Sequence, residues 1–398
     1  MKASALNFVP ALLFVLLPLM GRSAASDPGN LATLRQLYDG AMLPDVEVRT
    51  FSHSDKLQPV RAVHRGKVSS SLTRSEKSFP AIHFDNRGHH YDLYDYLANN
   101  RVAGILVLKN EEIAFEDYEL GMGPGTRWLS FSMAKSISST LVGAALADGS
   151  ISSLDDPVVR YVPALKGSAY DGVSIRQVLT MSSGVRWDET YTKQNSDRRK
   201  MLELQIADKP DKLLAYMGSL PRAAPPGTVW NYSTGETFVL GAVIEGATHR
   251  RLPDYLSEKI WAPAGMEQDA SWWVDGPNGL AWAGSGIGAT LRDYGRFALI
   301  AANQGRLNGR SIVPAEWFKE AGAAHEIGGK TVPYGYMWWV ADVGTFVAVG
   351  IFGQYMYINP KERLAVIVLS ARSKPDNTAL ADSSDDAPFI DAVIAALH

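Results

Sequence analysis

Strand-forming runs stand at both ends of this chain and enclose a long segment with a different pattern. The apolar run 103–108 and the shorter run 113–115 are separated by the polar turn 109–112, which predicts a β-hairpin. Residues 150–283 contain helical patterns and long loops rich in Trp, Pro and Gly. This order favours one sheet whose sequence is interrupted by a helical insertion.

The C-terminal third returns to strand patterns. Four runs are separated by short segments containing Gly, Asp, Asn or Pro: Gly335–Val340, Thr345–Val349, Tyr355–Ile358 and Leu364–Leu369. Such short connections favour antiparallel neighbours, because parallel neighbours need a crossover of a dozen or more residues. The sequence therefore predicts an α/β fold of the α+β type, an antiparallel sheet flanked by helices with a mainly helical inserted subdomain at about 150–283.

Helical spacing of apolar residues marks the segments expected to flank the sheet. These are Tyr91–Leu97, Ser132–Ala147, the strand-into-helix segment Ile287–Asn303, and a closing helix at Phe389–Leu397. In the second segment, Ile137, Leu141, Ala144 and Ala145 recur on one face, and Gly149 follows as a stop. Residues 26–80 mix short apolar groups with polar stretches and predict an irregular extension that wraps the body.

The first 25 residues have the pattern of an export signal. Lys2 is the only positive charge before the apolar stretch Phe8–Met20, and Ser23–Ala25 supplies the small residues that a signal peptidase reads. We therefore expect a periplasmic or secreted protein without a stable membrane anchor. An uncleaved N-terminal anchor is the alternative.

Composition excludes several classes of function. The chain has no Cys, which removes disulfides, thiolate metal sites and cysteine nucleophiles. Its 39 Lys and Arg against 42 Asp and Glu give a net charge of -3, so no nucleic-acid partner is expected. The 8 His show no metal-ligand spacing, and no phosphate-binding loop or Gly-x-Ser-x-Gly elbow occurs. We expect no metal and no cofactor.

The pattern Ser132-Met133-Ala134-Lys135 carries the strongest chemical signal. Residues three apart share a helix face, so the Ser132 hydroxyl and the Lys135 amine can meet. A serine needs a neighbouring base to become a nucleophile, and a lysine is a base only when burial lowers its pKa. The apolar neighbours of this pair favour such burial, and the helix start supplies free N–H groups for an oxyanion.

Two further segments can complete such a site. Tyr232 follows the stiff Pro225-Pro226 loop and can share a proton with the Ser–Lys pair or donate one to a leaving group. Gly350 lies at a strand end, where a substrate can approach the backbone and the N–H of Ile351 can donate to an oxyanion. Taken alone, a structural tyrosine and an ordinary β-turn are the competing interpretations.

The order Ser-x-x-Lys, Tyr-x-Thr and a Gly-containing edge strand resembles the serine β-lactamase and penicillin-binding-protein superfamily. More narrowly, the chain is similar to class C β-lactamase-related hydrolases of the 6-aminohexanoate-oligomer (nylon-oligomer) type. Supporting phrases are Ala147–Gly149, Leu154–Val158, Ile175–Gly184, Gly284–Tyr294 and Gly350–Gln354. The resemblance covers roughly 85–398, which divides the chain into a signal (1–25), an N-terminal extension (26–84) and a hydrolase domain (85–398).

The resemblance implies a role for each candidate residue. Ser132 would be the acylated nucleophile, Lys135 its base, and Tyr232 the group that protonates the leaving group. The N–H groups of Ser132 and Ile351, the latter next to Gly350, would form the oxyanion hole. Tyr191 resembles the tyrosine that covers an amide substrate in the oligomer hydrolases.

The chain also departs from β-lactamases. Thr234 stands where they usually place Asn, and Ala348-Val349-Gly350 stands in place of Lys-Thr-Gly. That lysine binds the carboxylate of a β-lactam, and losing a charge-assisted contact costs about 1.5–3 kcal/mol. We therefore expect poor recognition of penicillins.

The expected function is a serine hydrolase acting on a small-molecule or short peptide-like amide or ester. The alternatives are a D-amino-acid peptidase or weak β-lactamase acting on cell-wall material, and a non-catalytic protein that binds wall fragments or peptides. The side chains of Trp272, Trp273 and Trp282 either line an apolar substrate cleft or belong to the core. The oligomeric state is left open.

Overall fold

The computed structural model describes residues 30–207, 211–307, 309–375 and 384–398, so the export signal predicted at 1–25 lies outside the described residues. The α-helices are α1 (Leu34–Tyr38), α2 (Pro44–Ser52), α3 (Leu93–Asn99), α4 (Met133–Ala147), α5 (Val158–Tyr161), α6 (Ile175–Leu179), α7 (Asp197–Ile206), α8 (Lys212–Ser219), α9 (Thr234–Thr248), α10 (Leu252–Leu256), α11 (Leu291–Ala302), α12 (Trp317–Ala321) and α13 (Asp386–Ala396). Single turns of other helix types lie at Ser54–Lys56, Pro163–Leu165 and Ser257–Trp261.

The strands are β1 (Val60–Val63), β2 (His83–Asn86), β3 (His89–Asp92), β4 (Val102–Lys109), β5 (Glu112–Tyr118), β6 (Trp128–Leu129), β7 (Ala270–Trp273), β8 (Ile287–Ala289), β9 (Arg306–Leu307), β10 (Arg310–Ser311), β11 (His325–Ile327), β12 (Lys330–Val332), β13 (Trp339–Asp342), β14 (Thr345–Val349), β15 (Tyr355–Asn359) and β16 (Leu364–Ser370). Within the described ranges, no helix combines the length and apolar character that crossing a bilayer would need.

The central sheet joins the two ends of the chain. Its six strands have the order β13-β14-β15-β16-β4-β5, and every neighbouring pair is antiparallel. Leu106 of the N-terminal hairpin lies opposite Ile367 of β16, although most of the chain separates them. Most of the helices of the described part lie between these two halves in sequence. The predicted antiparallel sheet with a mainly helical insertion is confirmed.

The sheet is buried on both faces. Along β16, Leu364, Val366 and Val368 pack into one hydrophobic cluster, while the alternate residues Ala365 and Ile367 pack into the other. Successive side chains of a strand point to opposite faces, so a doubly buried strand reads as a continuous apolar run. This explains why β4 and β14–β16 were predictable.

A smaller sheet leads directly to the candidate site. Its order is β1-β7-β8-β6, and β6 ends at Leu129, three residues before Ser132. Helix α4 then begins at Met133, and its residues from Met133 to Ala145 are all buried. The prediction of a single apolar face is therefore too narrow, because α4 packs against both the central sheet and α9.

The prediction of an irregular segment at 26–80 is wrong for residues 34–63, which contain two helices and a strand. Thr33 and Gln36 form a capping box that begins α1, and Pro44 occupies the first turn of α2. Strand β1 pairs with β7, placing Val63 opposite Ala270. These elements are short. Strand β1 also forms because of its pairing with a strand far away in sequence, and the pattern of residues within β1 alone does not reveal that pairing.

Other boundaries also differ from the predictions. The run Gly335–Val340 becomes a strand only at Trp339, because Met337 has φ +60° and its N–H bonds to Leu179 O on α6. Tyr91 belongs to β3, and α3 begins after it. The helical stretch 150–283 also contains β7.

The tryptophans offered as possible cleft residues belong to the core. Trp272, Trp273 and Trp282 are at most 1% exposed, and the Trp272 indole N–H donates to the carbonyls of Trp282 and Ser285.

Candidate active site

Ser132 and Lys135 meet at the start of α4. Ser132 is the residue before the helix, and the Lys135 Nζ lies 2.8 Å from its Oγ. Nζ also donates to the carbonyl of Gly284 at 3.1 Å, and the lysine is 1% exposed. A Cβ on Gly284 would lie 3.2 Å from side-chain carbons of Thr234 and Thr237, so this position leaves little room for a side chain. The predicted one-turn spacing brings the two groups together.

Burial makes the Lys135 amine a base near neutral pH. Its burial lowers the pKa of Lys135 to about 7, because the charged form loses its hydration. The Glu189 carboxylate acts in the opposite direction, and the Arg198 guanidinium favours the neutral amine. With a pKa of about 7, roughly half of the lysine is neutral at pH 7.

Tyr232 lies beside this pair, at the N-terminal end of α9. The Lys135 Nζ is 5.1 Å from the centre of its ring, and the ring stacks on Trp339 at 5.5 Å. Burial raises the pKa of Tyr232, the negative charge of Glu189 adds to the rise, and the Ser132 hydroxyl acts in the opposite direction. The phenol therefore keeps its proton at neutral pH.

A cleft of about 300 Å³ opens onto these groups. It is lined by Ser132, Glu189, Thr190, Tyr191, Trp230, Asn231, Tyr232, Trp339, Val349, Gly350 and Ile351. Tyr191, predicted from a loop position, thus shares one cleft with the nucleophile. No Lys or Arg belongs to this set of lining residues, and Ala348 is 1% exposed. The described wall of the cleft therefore offers no cation for a substrate carboxylate.

Gly350 begins the turn between β14 and β15, and its lack of a side chain is required. A Cβ there would lie 2.5 Å from Gln354 Oε1 and 2.9 Å from the carbonyl oxygen of Ser130. Gln354 is itself fixed, because its amide donates to Ser370 O and its Oε1 accepts from the Phe352 N–H. The turn and the segment before Ser132 are therefore in close contact.

The two N–H groups expected to hold an oxyanion line the same cleft. Neighbouring N–H groups are paired within the protein: that of Met133 donates to Ser130 O, and that of Gly350 donates to Gln354 O. Those of Ser132 and Ile351 have no hydrogen-bond partner in the described part of the chain. They remain available to an oxygen bound at Ser132.

Glu189 is a site residue that the sequence analysis missed. Its carboxylate accepts from the Thr234 N–H at 2.9 Å, from the Thr234 hydroxyl at 2.5 Å, and from the Trp187 indole. Thr234, which stands where β-lactamases usually place Asn, thus contacts Glu189. Tyr191, two residues later, was singled out in the sequence analysis, but nothing in the sequence shows that Glu189 faces Thr234.

The N-terminal segment holds the loop that carries Tyr191. The Tyr38 ring lies 6.1 Å from the Tyr191 ring. The Tyr38 hydroxyl accepts a hydrogen bond from the Arg198 guanidinium. Asp39 pairs with Arg199 at 2.6 Å, and the same guanidinium nitrogen donates to the Tyr191 carbonyl. No sequence pattern indicated this contact, because it joins segments far apart in the chain.

Comparison with known proteins shows the family to which this chain belongs. The sequence profile of the family described as Beta-lactamase matches residues 95–387. A 6-aminohexanoate-dimer hydrolase of Paenarthrobacter ureafaciens is 30% identical over 302 residues, which cover 72% of this chain and 76% of that protein. A D-aminopeptidase of Cereibacter sphaeroides is 27% identical over 43% of this chain and 36% of its own length.

The fold has a close match among solved structures. A putative 6-aminohexanoate-dimer hydrolase from Bacillus anthracis superposes with a TM-score of 0.75 at 22% identity, covering 87% of this chain and 91% of that one. This likeness concerns the fold, whereas the family match concerns the sequence of residues 95–387. The non-catalytic alternative is set aside, and the chain belongs to the beta-lactamase family as an enzyme of the serine hydrolase type.

Proposed function

We propose that this enzyme cleaves an amide or ester bond through a covalent acyl intermediate on Ser132, with Lys135 as the base. The observation that carries this proposal is the buried Lys135 amine, whose pKa is about 7 and whose Nζ lies 2.8 Å from the Ser132 Oγ. A general base works best when its pKa is near the working pH. The pattern of residues 1–25 further supports export of the enzyme.

The proposed reaction has two halves. Lys135 takes the Ser132 proton while Oγ attacks the carbonyl carbon, and the resulting oxyanion accepts hydrogen bonds from the N–H groups of Ser132 and Ile351. Tyr232 protonates the departing nitrogen or oxygen as its bond to carbon breaks, and is reprotonated from Lys135. A water molecule then attacks the acyl carbon and gives its proton to Lys135. The bond between this carbon and the Ser132 Oγ breaks, Oγ takes a proton back from Lys135, and the acid leaves.

The cleft supports a linear, largely uncharged acyl group. The rings of Trp230, Tyr232 and Trp339 form one wall, with Trp230 lying 5.9 Å from Trp339. Tyr191 lines the same cleft, and we expect it to cover a bound chain. Similarity to the 6-aminohexanoate-dimer hydrolase supports a small linear amide here, because two aminohexanoate units condense through an amide bond. Similarity to the D-aminopeptidase supports a short D-peptide amide as the second candidate.

Covalent labelling tests the proposal. A fluorophosphonate probe followed by peptide mass spectrometry is expected to place the adduct on Ser132, with no adduct in Ser132→Ala. A panel of p-nitrophenyl esters, linear amides and D-Ala-D-Ala peptides then ranks the substrate classes. An active enzyme that is labelled elsewhere, or that keeps its turnover in Ser132→Ala, would refute the acyl-Ser132 intermediate.

Charge selectivity gives a second prediction. Because no Lys or Arg lines the described wall of the cleft, the carboxylate of nitrocefin gains no ion pair there. Nitrocefin and its methyl ester are therefore expected to have kcat/KM values within about threefold of each other, measured by absorbance. A cation in the site would favour the acid by about tenfold or more, since a charge-assisted hydrogen bond contributes about 1.5–3 kcal/mol. Such a preference would contradict the substrate argument.

A further inference from the structure

Three phenylalanine rings meet behind the two N–H groups of the proposed oxyanion hole. Phe131 immediately precedes Ser132, and Phe352 immediately follows Ile351. The Phe51 ring of α2 lies 5.0 Å from each of these two rings, and they lie 4.9 Å from one another. Phe51 therefore touches both segments that carry the N–H donors.

The backbone at this point depends on packing. Phe131 has φ +44°, a left-handed conformation that a bulky residue adopts only when its surroundings hold it there. The Phe131 side chain is 1% exposed, and Phe51 meets it edge-on with an interplanar angle of 81°. A change at Phe51 would remove one of the ring contacts that hold the residue just before the nucleophile.

Helix α2 is itself anchored, so the Phe51 ring has a fixed position. Glu47 of α2 pairs with Arg101 at 2.8 Å, and Arg101 also donates to the carbonyl of Pro44. The Thr50 hydroxyl accepts from the Ala32 N–H and donates to Val46 O. The helix lies outside the segment matched by the family profile, which begins at residue 95.

We propose that Phe51 is a positioning residue of the oxyanion hole. Its ring packs against both Phe131 and Phe352 and thereby supports the two segments that carry the Ser132 and Ile351 N–H groups. The inference rests on the proposed acyl-Ser132 mechanism. It assigns a role in the reaction to the N-terminal segment, which the family profile does not cover.

The test compares Phe51→Leu and the unbranched, more adaptable Phe51→Met with a control of equal burial. Phe389 of α13 is also fully buried, and its ring stacks on Tyr96 in the other hydrophobic cluster, so Phe389→Leu is the matched control. Steady-state kinetics use a p-nitrophenyl ester. Inhibition by a phenylboronic acid reports on the hole directly, because the boronate forms a tetrahedral adduct on serine.

Both Phe51 variants are expected to lower kcat by about tenfold or more with KM within about twofold, since losing a single oxyanion donor costs about 100- to 1000-fold in kcat. Their boronate inhibition constants should rise in parallel, while those of Phe389→Leu stay within about twofold of the wild type. If Phe51→Leu fails to fold, Phe51→Met provides a second variant on which the same kinetic and inhibition constants are measured.

A folded Phe51→Met with the kcat and boronate affinity of Phe389→Leu would overturn the inference. That outcome is distinct from failure of the proposed function itself. If the proposed function itself were wrong, the wild-type enzyme would hydrolyse the ester without forming a probe adduct on Ser132.

Discussion

Lys135→Met is expected to lower kcat/KM by about 10,000-fold or more, the scale on which serine hydrolases lose activity when nucleophile activation fails. Methionine is unbranched and replaces most of the apolar stem of lysine, so the buried site stays largely filled. What disappears is the amine 2.8 Å from the Ser132 Oγ. Progress curves with a p-nitrophenyl ester, together with fluorophosphonate labelling rates, measure the loss.

The matched control for this variant is Lys319→Met. Lys319 lies on α12 with 74% of its side chain exposed and pairs only with its neighbour Glu316 among the described residues. It is expected to keep the wild-type kcat/KM within about twofold. Lys135→Met with an activity within tenfold of the wild type would show that another group activates Ser132.

Gly350→Ala is expected to lower kcat by about 100-fold. The new Cβ would lie 2.5 Å from Gln354 Oε1 and 2.9 Å from Ser130 O, distances at which something must move. Gln354 is fully buried and bonded on both ends, so the strain is expected to displace the turn that carries Ile351. Removing one oxyanion donor costs about 100- to 1000-fold in kcat.

Gly125→Ala is the control, because a Cβ at Gly125 would meet nothing within 4 Å. It is expected to retain wild-type kinetics, which would show that a glycine-to-alanine change alone is harmless. Steady-state kinetics and thermal unfolding are measured on both variants. A folded Gly350→Ala enzyme with unchanged kcat would mean that the Ile351 N–H contributes nothing to the reaction.

The features that could be predicted from the sequence are those that depend on the local spacing of residues. Strands β4 and β14–β16 are continuous apolar runs because both faces of the sheet are covered. Ser132 and Lys135 are one helical turn apart, so their encounter follows from the helix itself. Gly350 and Tyr232 needed a resemblance to a known family, because spacing alone did not connect them with Ser132.

The missed features depend on contacts between distant segments. Glu189 faces Thr234, Tyr38 faces Tyr191, and Phe51 faces Phe131, each pair joining separate parts of the chain. No periodic pattern encodes such a pairing. The same reason applies to β1, which is a strand because β7 lies beside it.

The whole account depends on a neutral amine at position 135, and a titration of that amine tests it most directly. Carbon-13 NMR of protein with labelled lysine ε-carbons follows each amine, and the Lys135 signal is the one missing from Lys135→Met. We predict that it titrates near pH 7, as its burial requires. In Glu189→Gln it should titrate lower, since the carboxylate that favours the charged amine is gone. A Lys135 signal that stays cationic to above about pH 9, close to an ordinary lysine, would contradict the mechanism.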